Sequence, residues 1–93
     1  MGERLSRGFV VTGRVQGVGF RWSARRAAER LGLVGSVRNR LDGSVEVQVA
    51  GPAHEVAQMR SWLDRGPPGA RVESVREIDP DPRMPRDEFR VLV

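Results

Sequence analysis

The 93-residue chain has no cysteine and no tyrosine, and because lysine is also absent all 16 of its basic residues are arginine. Each absence removes a class of chemistry. Without cysteine there are no disulfides and no thiolate nucleophile, and His54, the only histidine, cannot build a zinc cluster with such partners. Without lysine there is no Schiff base and no phosphate-binding lysine of the Walker type. No apolar run approaches the roughly 20 residues that cross a bilayer, and the N-terminus lacks the shape of a signal peptide. A cytoplasmic location with no membrane association is therefore the expectation.

What is present suits a small globular unit. Hydrophobic residues make up 39% and charged residues 30%, which is enough for a core and a solvated surface. Residues 1–93 are expected to form a single domain, since this length cannot supply two cores. The formal net charge of +4 invites a nucleic-acid reading. The arginines, however, are interleaved with acids rather than gathered in a block, and exclusive use of arginine fits a coding bias. A mixed-charge surface is the reading, with no nucleic-acid partner and a monomeric state expected.

The β-branched run Phe9–Val15 reads as a strand and Gln16–Phe20 as a glycine-bearing loop. Phe20, Ala24, Ala27, Ala28 and Leu31 then fall on one helical face, with Gly32 placed to end a helix from about Arg21 to about Leu31. Val34–Asn39 is a second strand. The Asp42-Gly43 turn leads into the alternating Val45, Val47 and Val49, which predicts a hairpin. A second helix starts at Gly51-Pro52, buries Val56, Met59 and Leu63, and stops at Gly66-Pro67-Pro68-Gly69. Val72, Val75 and Ile78 suit a bulged strand, Asp79–Arg86 a loop, and Phe89–Val93 a closing edge strand. This order predicts an α+β, ferredoxin-like sandwich: βαββαβ plus an edge strand, an antiparallel sheet with both helices on one face. The fold alone decides no function.

The stretch "RVQGVGFR" (Arg14–Arg21) carries the chemistry. Gly17 and Gly19 permit backbone conformations that turn successive N–H groups inward as an anion nest. The helix that follows adds unpaired N–H donors and the positive end of its dipole, and Arg21 adds a fork matched to phosphate. The competing reading is a tight strand-to-helix turn with a surface arginine, and the loop by itself leaves both open. It lacks the Gly-Lys-Ser/Thr ending of a P-loop, and Trp22 stands where a dinucleotide motif needs its third glycine.

Gly13–Arg21 resembles the phosphate-binding signature of the acylphosphatases, and Gly35–Glu46 resembles their second signature. Gly66–Val72 and Phe89–Val91 fit later segments of that family, so the resemblance covers nearly the whole chain. It implies hydrolysis of the carboxyl–phosphate anhydride of small acyl phosphates, a class including acetyl phosphate, carbamoyl phosphate and 1,3-bisphosphoglycerate. It assigns Arg21 and the backbone amides of Gln16, Gly17, Val18, Gly19, Phe20 and Arg21 to the phosphoryl oxygens, and Asn39 to the attacking water. It implies no cofactor and no metal, and a small-molecule substrate as the partner. One departure is Ser36, where the family often has an aromatic residue; Trp22 is the candidate to pack nearby.

Other features read as structure. His54 is a surface residue, Asp42-Gly43 is turn chemistry, and the prolines of Asp79-Pro80-Asp81-Pro82 mark a rigid loop rather than a metal site. Arg25, Arg26 and Arg30 form a solvated helix face, while Met59 and Trp62 are packing residues. The alternative function is a non-catalytic anion- or RNA-binding ferredoxin-like module. Its RNA version is weakened because the central strands carry no aromatic residue to stack on bases.

Overall fold

The computed structural model of the chain describes residues 3–93; Met1 and Gly2 of the expected domain lie outside the described residues. Along the chain run β1 (Arg4–Arg14), α1 (Phe20–Arg30), β2 (Val34–Asn39), β3 (Val45–Pro52), α2 (Ala53–Arg65), β4 (Arg71–Ile78) and β5 (Phe89–Val91). The element order is the expected one, and the strands form one sheet in the order β4-β1-β3-β2-β5. β1 begins five residues before the β-branched run, because Arg4 to Gly8 pair with Pro52 to Gln48 of β3. That pairing is long-range and overrides the weak strand propensity of the polar start.

Alternation sorts each strand between two faces. Phe9 and Val11 of β1, Val37 of β2, Val45, Val47 and Val49 of β3 and Phe89 of β5 join the main core. Both helices pack on that face through Phe20, Ala24, Ala27 and Ala28 of α1 and Val56, Met59 and Leu63 of α2. Burying each larger aliphatic side chain contributes about 1.5–3 kcal/mol before ordering costs. Trp62 meets Phe20 edge-on with ring centroids 5.5 Å apart, so it is a packing residue as its spacing suggested.

The expected bulge is present: Thr12 pairs with Ser74 and Gly13 with Val72, leaving Glu73 as the extra residue. The expected wholly antiparallel sheet needs correction at one strand, since β5 pairs parallel to β2. β4 ends and β2 begins at the same end of the sheet, so a connection across its width delivers β5 in the direction of β2.

That connection also closes the face away from the helices. The backbone N–H of Asp81 donates to Gln48 Oε1 at 2.9 Å, the Arg86 guanidinium donates to Ser6 Oγ at 2.9 Å, and Met84 is buried. Ser36 lies on this face opposite Gln48 and is buried without an aromatic neighbour from α1. Trp22 does not fill that space. Two residues after the inward Phe20 places it about 200° round the helix, away from the sheet.

Candidate active site

A tight connection between β1 and α1 brings the site together. Gly17 and Gly19 both have φ of 76°, in the left-handed region that glycine occupies without penalty. A Cβ at either position would meet nothing within 4 Å, so conformation rather than crowding demands glycine here. Gly19 is the N-cap of α1, and no side chain caps the helix. As a result, none of the backbone N–H groups from Gln16 through Trp22 has an acceptor among the described residues; the ladder begins with Ser23 N–H to the Gly19 carbonyl at 3.1 Å. A row of polar donors left unpaired at a helix start has the chemistry to accept an anion.

Charge is arranged the same way. α2 has Glu55 in its first turn, where a carboxylate offsets the positive end of the helix dipole. The first turn of α1 has no acid and instead carries Arg21. This lowers the stability of the helix by itself, because no carboxylate of that turn offsets the positive end of its dipole.

The Arg21 guanidinium is half-buried, and its Nη1 donates to the Leu92 carbonyl at 2.9 Å. One edge of the fork is thereby fixed while the rest faces the cavity. That cavity, of about 220 Å³, is lined by Val15, Gly17, Gly19, Phe20, Arg21, Trp22 and Asn39. The two side chains singled out from the sequence therefore meet, one from the start of α1 and one from the end of β2. Asn39 lies at the rim where β2 gives way to the turn, and its carboxamide has no hydrogen-bond partner among the described residues.

Gln16 does more than its backbone role implied. Its Nε2 donates to the carbonyls of Arg40 at 2.8 Å and Ser44 at 2.9 Å, which ties the glycine loop to the β2–β3 hairpin. The hairpin is itself braced. Arg40 N–H donates to the Ser44 carbonyl, and the Asp42 carboxylate accepts from the Ser44 hydroxyl and N–H. These bonds hold the Asp42 carboxyl below its ordinary pKa, the hydroxyl bond contributing most. Asp42 is thus turn chemistry, as read from the sequence, but the turn it orders fixes the loop.

The distractors stay apart from the cavity. His54 is exposed at the start of α2, and Asp81 accepts from Arg83 N–H within its own turn. Among the described residues no group of three or more acidic or histidine side chains is placed to hold a metal ion. Trp22 and Leu92 were not recognised from the sequence as parts of the site. Nothing local marks Leu92, which reaches Arg21 only through the pairing of β5.

Comparison with known proteins gives the family and the fold. The family model described as Acylphosphatase matches residues 7–91. An acylphosphatase of Alkalilimnicola ehrlichii is 49% identical over 87 residues, spanning 94% of this chain and 97% of that one. The solved acylphosphatase from Coxiella burnetii aligns with a TM-score of 0.85 at 37% identity, covering 96% of this chain and 93% of its own. That from Bacillus subtilis gives 0.83 at 31% identity over 98% and 100% of the two chains. On sequence, fold and extent of match, the chain belongs to the acylphosphatase family.

Proposed function

We propose that residues 1–93 act as a single-domain acylphosphatase, hydrolysing small acyl phosphates to carboxylate and inorganic phosphate with Arg21 and Asn39 at the reacting centre. The observation that carries this reading is one cavity lined by Arg21, Asn39, Gly17 and Gly19, beside loop amides that have no acceptor among the described residues. The amides from Gln16 to Arg21 and the free edge of Arg21 hold the phosphoryl oxygens. The Asn39 carboxamide orients a water for attack on phosphorus. The P–O bond to the acyl group breaks, the acyl carboxylate leaves, and the water's proton passes to a phosphoryl oxygen.

This division of labour matches what the reaction needs. Phosphoryl transfer responds to positioning and charge stabilisation more than to covalent help. The carboxylate leaving group of an acyl phosphate needs no proton, so an arginine, an asparagine and backbone donors suffice. Arginine and the helix terminus supply the positive charge that a metal supplies elsewhere, so metal independence is part of the proposal.

The binding-module reading fares worse. The sheet face that RNA-binding relatives of this fold expose is closed here at Val10, Gln48 and Ala50. We also assign the chain a monomeric state, a cytoplasmic setting, a small-molecule substrate and no nucleic-acid partner.

The test is turnover of benzoyl phosphate in EDTA, with p-nitrophenyl phosphate as an ordinary ester control. Turnover confined to the acyl phosphate is the expected result. Equal hydrolysis of the ester, or complete loss of activity in EDTA, contradicts the mechanism.

A further inference from the structure

Every acyl phosphate presents the same phosphoryl group, so discrimination among them rests on whatever meets the acyl side. The apolar lining of the cavity consists of Val15, Phe20 and Trp22. Val15 is 0% and Phe20 2% exposed, both packed in the core, whereas Trp22 is 54% exposed. Trp22 is therefore the apolar side chain of the cavity with surface left to offer.

Its neighbours strengthen the point. The large hydrophobic side chains that the described residues expose are Trp22, Leu41 and Val93. Trp22 directly follows Arg21, Leu41 lies just beyond Asn39 and Arg40, and Val93 follows the Leu92 whose carbonyl holds Arg21. All three follow site residues closely in the chain, and Trp22 is the one that lines the cavity. The Arg25 guanidinium, paired with Glu29 through Nε at 3.1 Å, lies 5.9 Å from the centroid of the Trp22 ring. An indole has only two side-chain torsions to order, so contact with a ligand costs it little entropy.

Resting on the phosphate-site reading above, we infer that Trp22 recognises the acyl group and that the chain favours aromatic acyl phosphates over acetyl phosphate. The acyl ring packs on the indole while the phosphoryl group occupies the loop. A methyl group buries little area there, whereas an aryl group gains both area and an aromatic contact.

The experiment compares kcat/KM for benzoyl phosphate and acetyl phosphate in the wild type, Trp22→Ala and Trp22→Phe. The wild type is expected to favour benzoyl phosphate. Trp22→Ala is expected to lower the benzoyl-to-acetyl ratio about tenfold, the size of one aromatic contact, chiefly through KM. Trp22→Phe is expected to restore most of that ratio. Competitive inhibition by inorganic phosphate, which has no acyl group, should move less than the ratio does. Thermal unfolding checks that both variants are folded. A ratio unchanged in folded Trp22→Ala, with both substrates still hydrolysed, overturns the acyl role and leaves the phosphate site standing. No turnover of either substrate by folded wild type overturns the underlying reading as well.

Discussion

Arg21 Nη1 donates to the Leu92 carbonyl across 2.9 Å, which joins the start of α1 to the residue that follows β5. A guanidinium held along one edge keeps the remaining donors aimed without losing rotamer freedom at each turnover. Arg21→Ala is expected to lower kcat/KM for benzoyl phosphate on the order of 10³-fold or more, the scale of arginines that stabilise transferring phosphoryl groups. Arg21→Lys should recover little, because a point charge cannot bond Leu92 and fork the phosphate together. Steady-state kinetics of the two variants check this.

Removing Leu92 and Val93 leaves Arg21 in place but frees its anchored edge. A loss between about tenfold and about a hundredfold in kcat is expected, the range that small misplacement of a positioned group costs. The deletion also removes the Leu92 N–H bond to the Val37 carbonyl, so its thermal midpoint must be measured alongside. A fully active truncation would show that the Leu92 anchor has no functional part.

Asn39→Ala should lower kcat by about 10²–10³-fold, the usual scale for a lost positioned donor. Competitive inhibition by inorganic phosphate should change far less, since the proposal assigns phosphate to the loop and Arg21. Full activity in this variant would remove Asn39 from the reaction.

Gln16→Ala and Gln16→Glu separate bonding from packing at the junction of loop and hairpin. In Gln16→Ala the Arg40 and Ser44 carbonyls keep their backbone donors, Gly43 N–H and Arg40 N–H. The stability cost is therefore expected at the low end, about 1 kcal/mol. Gln16→Glu sets a carboxylate against two carbonyl oxygens and should cost more in both stability and kcat. Denaturant unfolding of the pair gives the order, and Gln16→Glu at least as stable as Gln16→Ala would contradict the clamp.

Acid should loosen the same junction. The Asp42 pKa lies below its ordinary value because of its bonds to the Ser44 hydroxyl and N–H. A carboxyl with a depressed folded-state pKa contributes stability that is complete above the unfolded value and is lost as pH falls through the folded one. Asp81, lowered by its bond from Arg83 N–H, adds the same trend in wild type and variant alike. Below about pH 4 the thermal midpoint of wild type should therefore fall more steeply than that of Asp42→Asn. Parallel curves would show that the Asp42 bonds do not contribute to folding.

Local features could be read before the fold was known, and long-range ones could not. Gly17 and Gly19 announced a left-handed loop because nothing but backbone conformation governs them. The alternation of Val45, Val47 and Val49 and the helical spacing of Ala24, Ala27 and Ala28 survived because packing agreed with propensity. The start of β1 at Arg4 and the parallel pairing of β5 depend on partners far along the chain. For the same reason the carbonyls that receive Gln16 and Arg21 left no mark in the sequence. Trp22 was expected near Ser36, but helix geometry turned it to the cavity once Phe20 entered the core.

The central claim is that water attacks phosphorus, held in the loop by Arg21 and oriented by Asn39. Hydrolysis of benzoyl phosphate in ¹⁸O-labelled water, followed by mass spectrometry of both products, tests it most directly. The expected result is label in inorganic phosphate and none in benzoate. Label in benzoate would place the attack at the acyl carbon and contradict the assignment of Asn39 and the glycine loop.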